Sequence, residues 1–214
     1  MIGLFWKDLL VARKTILSYF VFMLIYCGMA VMGMFNITFV TGFLSVMVMM
    51  LPMTAFAYDE QARWDRYALS MPLGRRAVVG ARYLFALMLA LFAAACGLLT
   101  CAFLFIMEKG DLIEDLATIL SSLGVGILLA AIILPLCYKM GPERARPYMY
   151  VIIFVPIIAI FLAYRSGVHV DLSSLDALPD AVFIGGIGLF PLLGLLTLGI
   201  SYLISCRIAV EKEY

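Results

Sequence analysis

The residues best equipped for chemistry are gathered in one polar stretch, YDEQARWDRYALSMPLGRRAVV at 58–79, within a chain that is otherwise largely apolar. Asp59 and Arg63 stand four apart in the order that favours a helical ion pair, and Glu60 and Arg63 stand three apart. Asp59 through Leu69 holds neither Gly nor Pro and suits a helix, on which Trp64, Tyr67, Ala68 and Met71 share one face. Pro72 stops that helix, Leu73-Gly74 turns the chain, and Arg75-Arg76 begin a second helix running through Arg82. Acids alternating with arginines make a poor Mg²⁺ site. They make a good contact surface, with an aromatic face to anchor it and a charged face to present. A solvated basic loop is the plainer reading, but a bare retention signal needs neither the acids nor Trp64.

Catalytic groups are scarce elsewhere. The single histidine, His169, sits in Val168-His169-Val170 with no nucleophile placed beside it, and no HExxH motif occurs. No GxxxxGK[ST] loop is present, so any ATP-driven work needs a second polypeptide. The five cysteines form no CxxC pair and read as small packing residues rather than a metal set.

The elements that must position the polar stretch follow from composition. Of 214 residues, 65% are hydrophobic and only 14% charged, which is too little charge to solvate a globular surface. Mean hydropathy is +1.10. The chain reads as one all-α integral membrane domain over 1–214. Uncharged runs long enough to cross the hydrocarbon place six spans near 16–35, 38–57, 83–107, 116–138, 147–164 and 182–205. Within these bounds no span carries an acidic or basic side chain, which argues against a proton- or sodium-driven carrier. Thirteen of the fifteen Lys and Arg residues fall on one side, and only Lys109 and Arg165 on the other. This bias predicts cytoplasmic N and C termini. The opposite side is acidic, with Glu108, Asp111, Glu114 and Asp115 in one loop and Asp171, Asp176 and Asp180 in another. Asp111-Leu-Ile-Glu114 has the spacing of a capping box, and 166–181 reads as loop or as one short helical turn.

Before the first span, residues 2–14 predict an amphipathic helix lying in the membrane interface. Ile2, Phe5, Trp6, Leu9 and Leu10 share its apolar face, and Lys7, Asp8 and Lys14 lie away from it. Thr197, Ser201 and Ser205 form a weakly polar stripe on the sixth span, and Ala93 with Gly97 a small pair on the third. Both allow close helix approach. Met23, Met29, Met32, Met34, Met47, Met49, Met50 and Met53 are either apolar filler or an adaptable surface for apolar ligands.

The loop resembles that of small ABC-2-type transporter permeases. The resemblance rests on Glu60, Trp64-Asp65-Arg66-Tyr67, Ser70-Met71-Pro72, Arg75-Arg76, Val78-Val79 and Arg82-Tyr83, with Phe5-Trp6-Lys7-Asp8-Leu9 similar to the family's amphipathic start. Gly74 departs from the Ser or Thr common there. The resemblance implies a non-enzymatic transport subunit, paired as two permease copies with two ATPase subunits that carry ATP and Mg. It makes the 58–79 loop a coupling helix: Asp59, Glu60, Arg63 and Arg66 dock in the ATPase, and Trp64 and Tyr67 anchor the elbow. Glu143, Arg144 and Arg146 then form a second cytoplasmic contact. Phe5, Trp6 and Leu9 mark the interface helix. The expected function is ATP-driven export of amphipathic or hydrophobic cargo, a membrane-active peptide or lipid-like molecule, for export or self-immunity in a bacterial plasma membrane, with no nucleic-acid partner and no cofactor in this chain. The alternative is a membrane scaffold or a substrate-capture subunit of another transporter.

Overall fold

The computed structural model describes residues 2–64, 74–107, 110–166 and 180–211. Six helices cover them: α1 (Ile2–Val31), α2 (Ile37–Gln61), α3 (Arg75–Ile106), α4 (Leu112–Met140), α5 (Pro142–Arg165) and α6 (Asp180–Glu211). All six are long and apolar enough to cross a membrane, so the chain is an all-α, multi-pass membrane protein. With 32 residues, α3 is about 48 Å long. That exceeds a hydrocarbon layer of about 30 Å.

α4 is the centre of the bundle, packing on α6, α2, α3 and α5, while α1 packs on α2 and α3. Small residues set these distances. A Cβ on Gly124 would lie 2.9 Å from the backbone of Phe190, and one on Gly126 would lie 3.1 Å from the Cα of Ser45. The same approach lets Ser45 donate to the carbonyl of Ser122 at 2.6 Å and Ser201 to that of Ala131 at 2.5 Å. The polar stripe on α6 therefore turns inward. The Tyr83 hydroxyl bonds both Ser201 and Ser205, at 2.6 and 2.7 Å, whereas Thr197 bonds back to its own helix at Gly194. A Cβ on Gly97 would meet Ile119 at 3.2 Å, which places the small pair of α3 against α4. Met47, Met49 and Met53 are buried core filler, and Met32 and Met34 are exposed.

Three expectations need correction. Residues 2–14 are not a separate interface helix but the first turns of an unbroken α1. Their predicted apolar face is also divided: Phe5 and Leu9 pack inward beside the buried Asp8, whereas Trp6 and Leu10 are more than half exposed. An apolar environment accepts Trp6 and Leu10 outside, and Asp8 can be inside because a cation meets it there. Secondly, the helices overrun the charge-free runs and carry Asp8, Asp59, Arg82 and Asp115 into the buried set. Thirdly, α4 does start after Asp111, but the Asp111 side chain makes no capping bond. The stretch 167–179, with His169, lies outside the described residues.

Candidate functional site

The site is built where α1 begins, α2 ends and α3 begins. Asp59 occupies the last turn of α2 and is buried. Arg82, two turns into α3, reaches it directly, Nη2 to Oδ2, and its Nη1 lies 3.3 Å from Asp8 Oδ1. Lys7 sits 2.7 Å from both oxygens of Asp59 and 3.2 Å from Asp8. Two cations thus face two anions, and the group is neutral. Burial of ions is tolerable when each finds a counter-charge, which this arrangement supplies, although Arg82 Nη1 meets Asp8 only as an ion pair and has no hydrogen-bond partner among the described residues. Aromatic rings close it from two sides, with the Arg82 guanidinium 4.4 Å from the Phe56 centroid and Lys7 Nζ 4.4 Å from that of Trp64. Phe5 packs edge-on against Phe85 beneath it, at 6.3 Å between centroids, and Leu9 packs on the same core.

The helix expected over 59–69 is interrupted within its described part. Asp59, Glu60 and Gln61 finish α2, and the chain breaks at Ala62 and Arg63. Arg63 takes φ of 49°, the left-handed conformation that ends helices, and its N–H bonds the Glu60 carbonyl at 3.1 Å. A non-glycine residue there costs about 1 kcal/mol. The turn redirects the chain so that Trp64 folds back over Lys7. Arg66 and Tyr67 lie outside the described residues. α3 then opens at Arg75 with Gly74 as its N-cap residue.

Glu60, next to Asp59, is exposed. Its carboxylate approaches the turn between α4 and α5, where a Cβ on Gly141 would sit 3.4 Å from Glu60 Oε1. Gly141 has φ of 82°, which lets one residue both end α4 and start α5. Glu143, Arg144 and Arg146 follow on the first turn of α5, all exposed. A small cleft of about 80 Å³ lies between these two segments, walled by Phe56, Glu60, Trp64, Arg82, Tyr138 and Pro142.

The predicted contact residues therefore separate into two kinds. Glu60, Arg63, Glu143, Arg144 and Arg146 stand at the surface of one end of the bundle. Asp59 does not: its carboxylate is committed to Lys7 and Arg82 inside the chain. Lys7, Asp8 and Arg82 were not among the candidate site residues. The available signal was the pairing of an Asp and a Lys just ahead of the first span with an Asp and an Arg bracketing the loop.

The chain matches the family described as ABC-2 family transporter protein over residues 3–209. No match is found among curated proteins or among solved structures.

Proposed function

This chain belongs to the ABC-2 transporter family, and from that premise we propose that the end bearing Glu60 and the α4–α5 turn is where its ATPase docks. It is the permease of an ABC transporter, a membrane subunit working with an ATPase partner. In our reading Glu60, Arg63, Arg66, Glu143, Arg144 and Arg146 form one composite contact, with Trp64 and Tyr67 holding the elbow against the bundle. Asp59 acts one layer beneath it. Through Arg82 and Lys7 it ties the docked segment to α1 and α3, so a push on the loop moves three helices together.

The observation that carries this reading is the convergence of two segments far apart in sequence. The exposed Glu60 meets the α4–α5 turn directly above a buried ionic group. A surface that transmits force needs a rigid connection to the helices it moves, and buried, mutually paired charges supply one.

Two permeases with two ATPases, cytoplasmic termini in a bacterial plasma membrane, and outward movement of amphipathic or lipid-like cargo complete the proposal. The bundle interior offers packed apolar side chains and hydroxyls, which suit such cargo better than ions or sugars. A role in peptide export or self-immunity fits the same chemistry.

The test is capture of the gently solubilised protein from its host, with mass spectrometry of what accompanies it. A small ATPase carrying a nucleotide loop, released by Glu60→Lys with the permease still folded, is the expected result. Retention of the ATPase by Glu60→Lys removes the docking assignment. Absence of any ATPase favours the scaffold reading.

A further inference from the structure

α3 and α6 leave an open groove of about 370 Å³ at the same end of the bundle, away from the Glu60 surface. Arg76 lines it from α3, and Tyr202, Leu203, Cys206, Arg207 and Glu211 line it from α6. Arg76 is exposed and makes no ion pair among the described residues. Arg207 bonds Glu211 at 3.1 Å, but both side chains are largely solvent-exposed, at 83% and 67%. Such an i,i+4 surface pair is weak and yields readily to a stronger anion.

The wall below the arginines has a second property. Leu192, Leu196, Ile200 and Leu203 are all exposed and share one face of α6 with Arg207. From Leu192 to Leu203 this stripe rises about 16 Å, close to half of a hydrocarbon core of about 30 Å. It therefore spans roughly one leaflet and ends, one turn later, at the guanidinium. Apolar length and cationic head are in the order a lipid presents its own acyl chain and phosphate.

We infer that this groove binds an anionic phospholipid, its phosphodiester held between Arg76 and Arg207 and one acyl chain lying along Leu203, Ile200 and Leu196. Arginine suits the task because its planar fork grips phosphate oxygens in pairs. Glu211 sets the preference for net negative charge: a zwitterionic lipid gains less from displacing it. The bound lipid bridges α3 and α6 across the groove. Basic pockets between membrane helices are a recognised setting for such headgroups. The inference needs neither the ATPase nor the cargo.

The test is native mass spectrometry of the full chain in detergent, titrated with phosphatidylglycerol or phosphatidylcholine. Phosphatidylglycerol should be retained preferentially, and retention should fall about fivefold for each arginine removed in Arg76→Gln, Arg207→Gln and the double variant. Arg13→Gln, an exposed arginine on α1, should leave it unchanged. Inorganic phosphate at millimolar concentration should not compete. Thermal unfolding without added lipid should be the same for all variants. Equal retention of the two lipids, or a double variant that binds like the parent, overturns the inference. Displacement by inorganic phosphate overturns the lipid as its source. A second copy of the chain covering the stripe would show as an altered oligomeric state in the double variant with lipid retention unmoved, and that also overturns it.

Discussion

The two ends of the bundle bury the same kind of group in opposite ways. At one end Asp8 and Asp59 each meet a cation, and Arg82 links both. At the other end Asp115 is equally buried, in the first turn of α4. It borders a polar recess of about 490 Å³ with Asp111 and Glu114, under the turn that joins α1 to α2. Its Oδ2 has no hydrogen-bond partner among the described residues. The first arrangement ties α1, α2 and α3 into one body. The second ties no helices together among the described residues. A buried carboxylate is therefore not by itself a structural feature of this protein; what matters is whether another helix brings it a counter-charge.

The comparison breaks most readily at Arg82. Arg82→Ala leaves Asp8 and Asp59 facing each other with only the part-exposed Lys7 between them. We expect about 3–5 kcal/mol of destabilisation, the usual result of removing one partner from a buried ionic group. Thermal unfolding in detergent should show it as loss of monodisperse protein well below the parent's midpoint. A stronger discrimination comes from Arg82→Met and Lys7→Met combined with Asp8→Leu and Asp59→Leu. Packed apolar side chains replace buried ion groups at little cost, so this fourfold variant should regain most of the stability lost in Arg82→Ala. If the ions serve force transmission, ATP-driven transport should stay absent in the stable fourfold variant. Transport at the parent's rate would reduce the ionic group to a packing device.

Next in size is Asp59→Asn, which keeps shape but removes a charge bonded to both Arg82 and Lys7. Hydrogen bonds to charged groups contribute about 1.5–3 kcal/mol, and a loss in that range is expected from chemical unfolding. Smaller still is Lys7→Gln. Its side chain is 20% exposed, against 6% for Arg82, so water replaces part of what the pair supplies. About 1–2 kcal/mol should be lost. The same variant removes the cation over Trp64, one of only two tryptophans, so a change in emission should accompany the small change in stability.

Most of the fold could be read from the sequence because lipid imposes a simple rule. Twenty apolar residues without a charge are long enough to be a span, and six such runs match the six long helices. The rule fails at the ends of spans. It ends the second span at residue 57 and starts a separate helix at Asp59, whereas α2 runs unbroken to Gln61 with Asp59 paired to α3 and α1. It likewise lays residues 2–14 on the membrane surface, as nothing in a lone amphipathic pattern says that Asp8 will find Arg82, more than 70 residues away. The proposed contact residues were named from a resemblance and a polar run. Their division into surface and interior was not, because ion pairing across helices is a property of the packed bundle. Asp59 and Glu60 are adjacent and chemically alike, and only the assembled helices distinguish them.

The smallest effect is expected at Asp115, and its sign carries the argument. A carboxylate in the first turn of a helix gains about 0.3–1 kcal/mol from the helix dipole. A buried polar atom without a hydrogen-bond partner costs about 1–3 kcal/mol. The second quantity is the larger, so Asp115→Asn should leave stability unchanged or raise it slightly. Asp59→Asn, the same substitution at the other end, should lower it. Unfolding the two variants side by side under one set of conditions compares the ends directly, with the chemistry of the substitution held fixed. If Asp115→Asn lowers stability as far as Asp59→Asn does, then Asp115 also has a counter-charge in the folded protein, and the contrast between an ionically tied end and an untied one is lost. If it does not, the ionic connection belongs to the end that carries Glu60 and the α4–α5 turn, the end at which we propose that the ATPase docks.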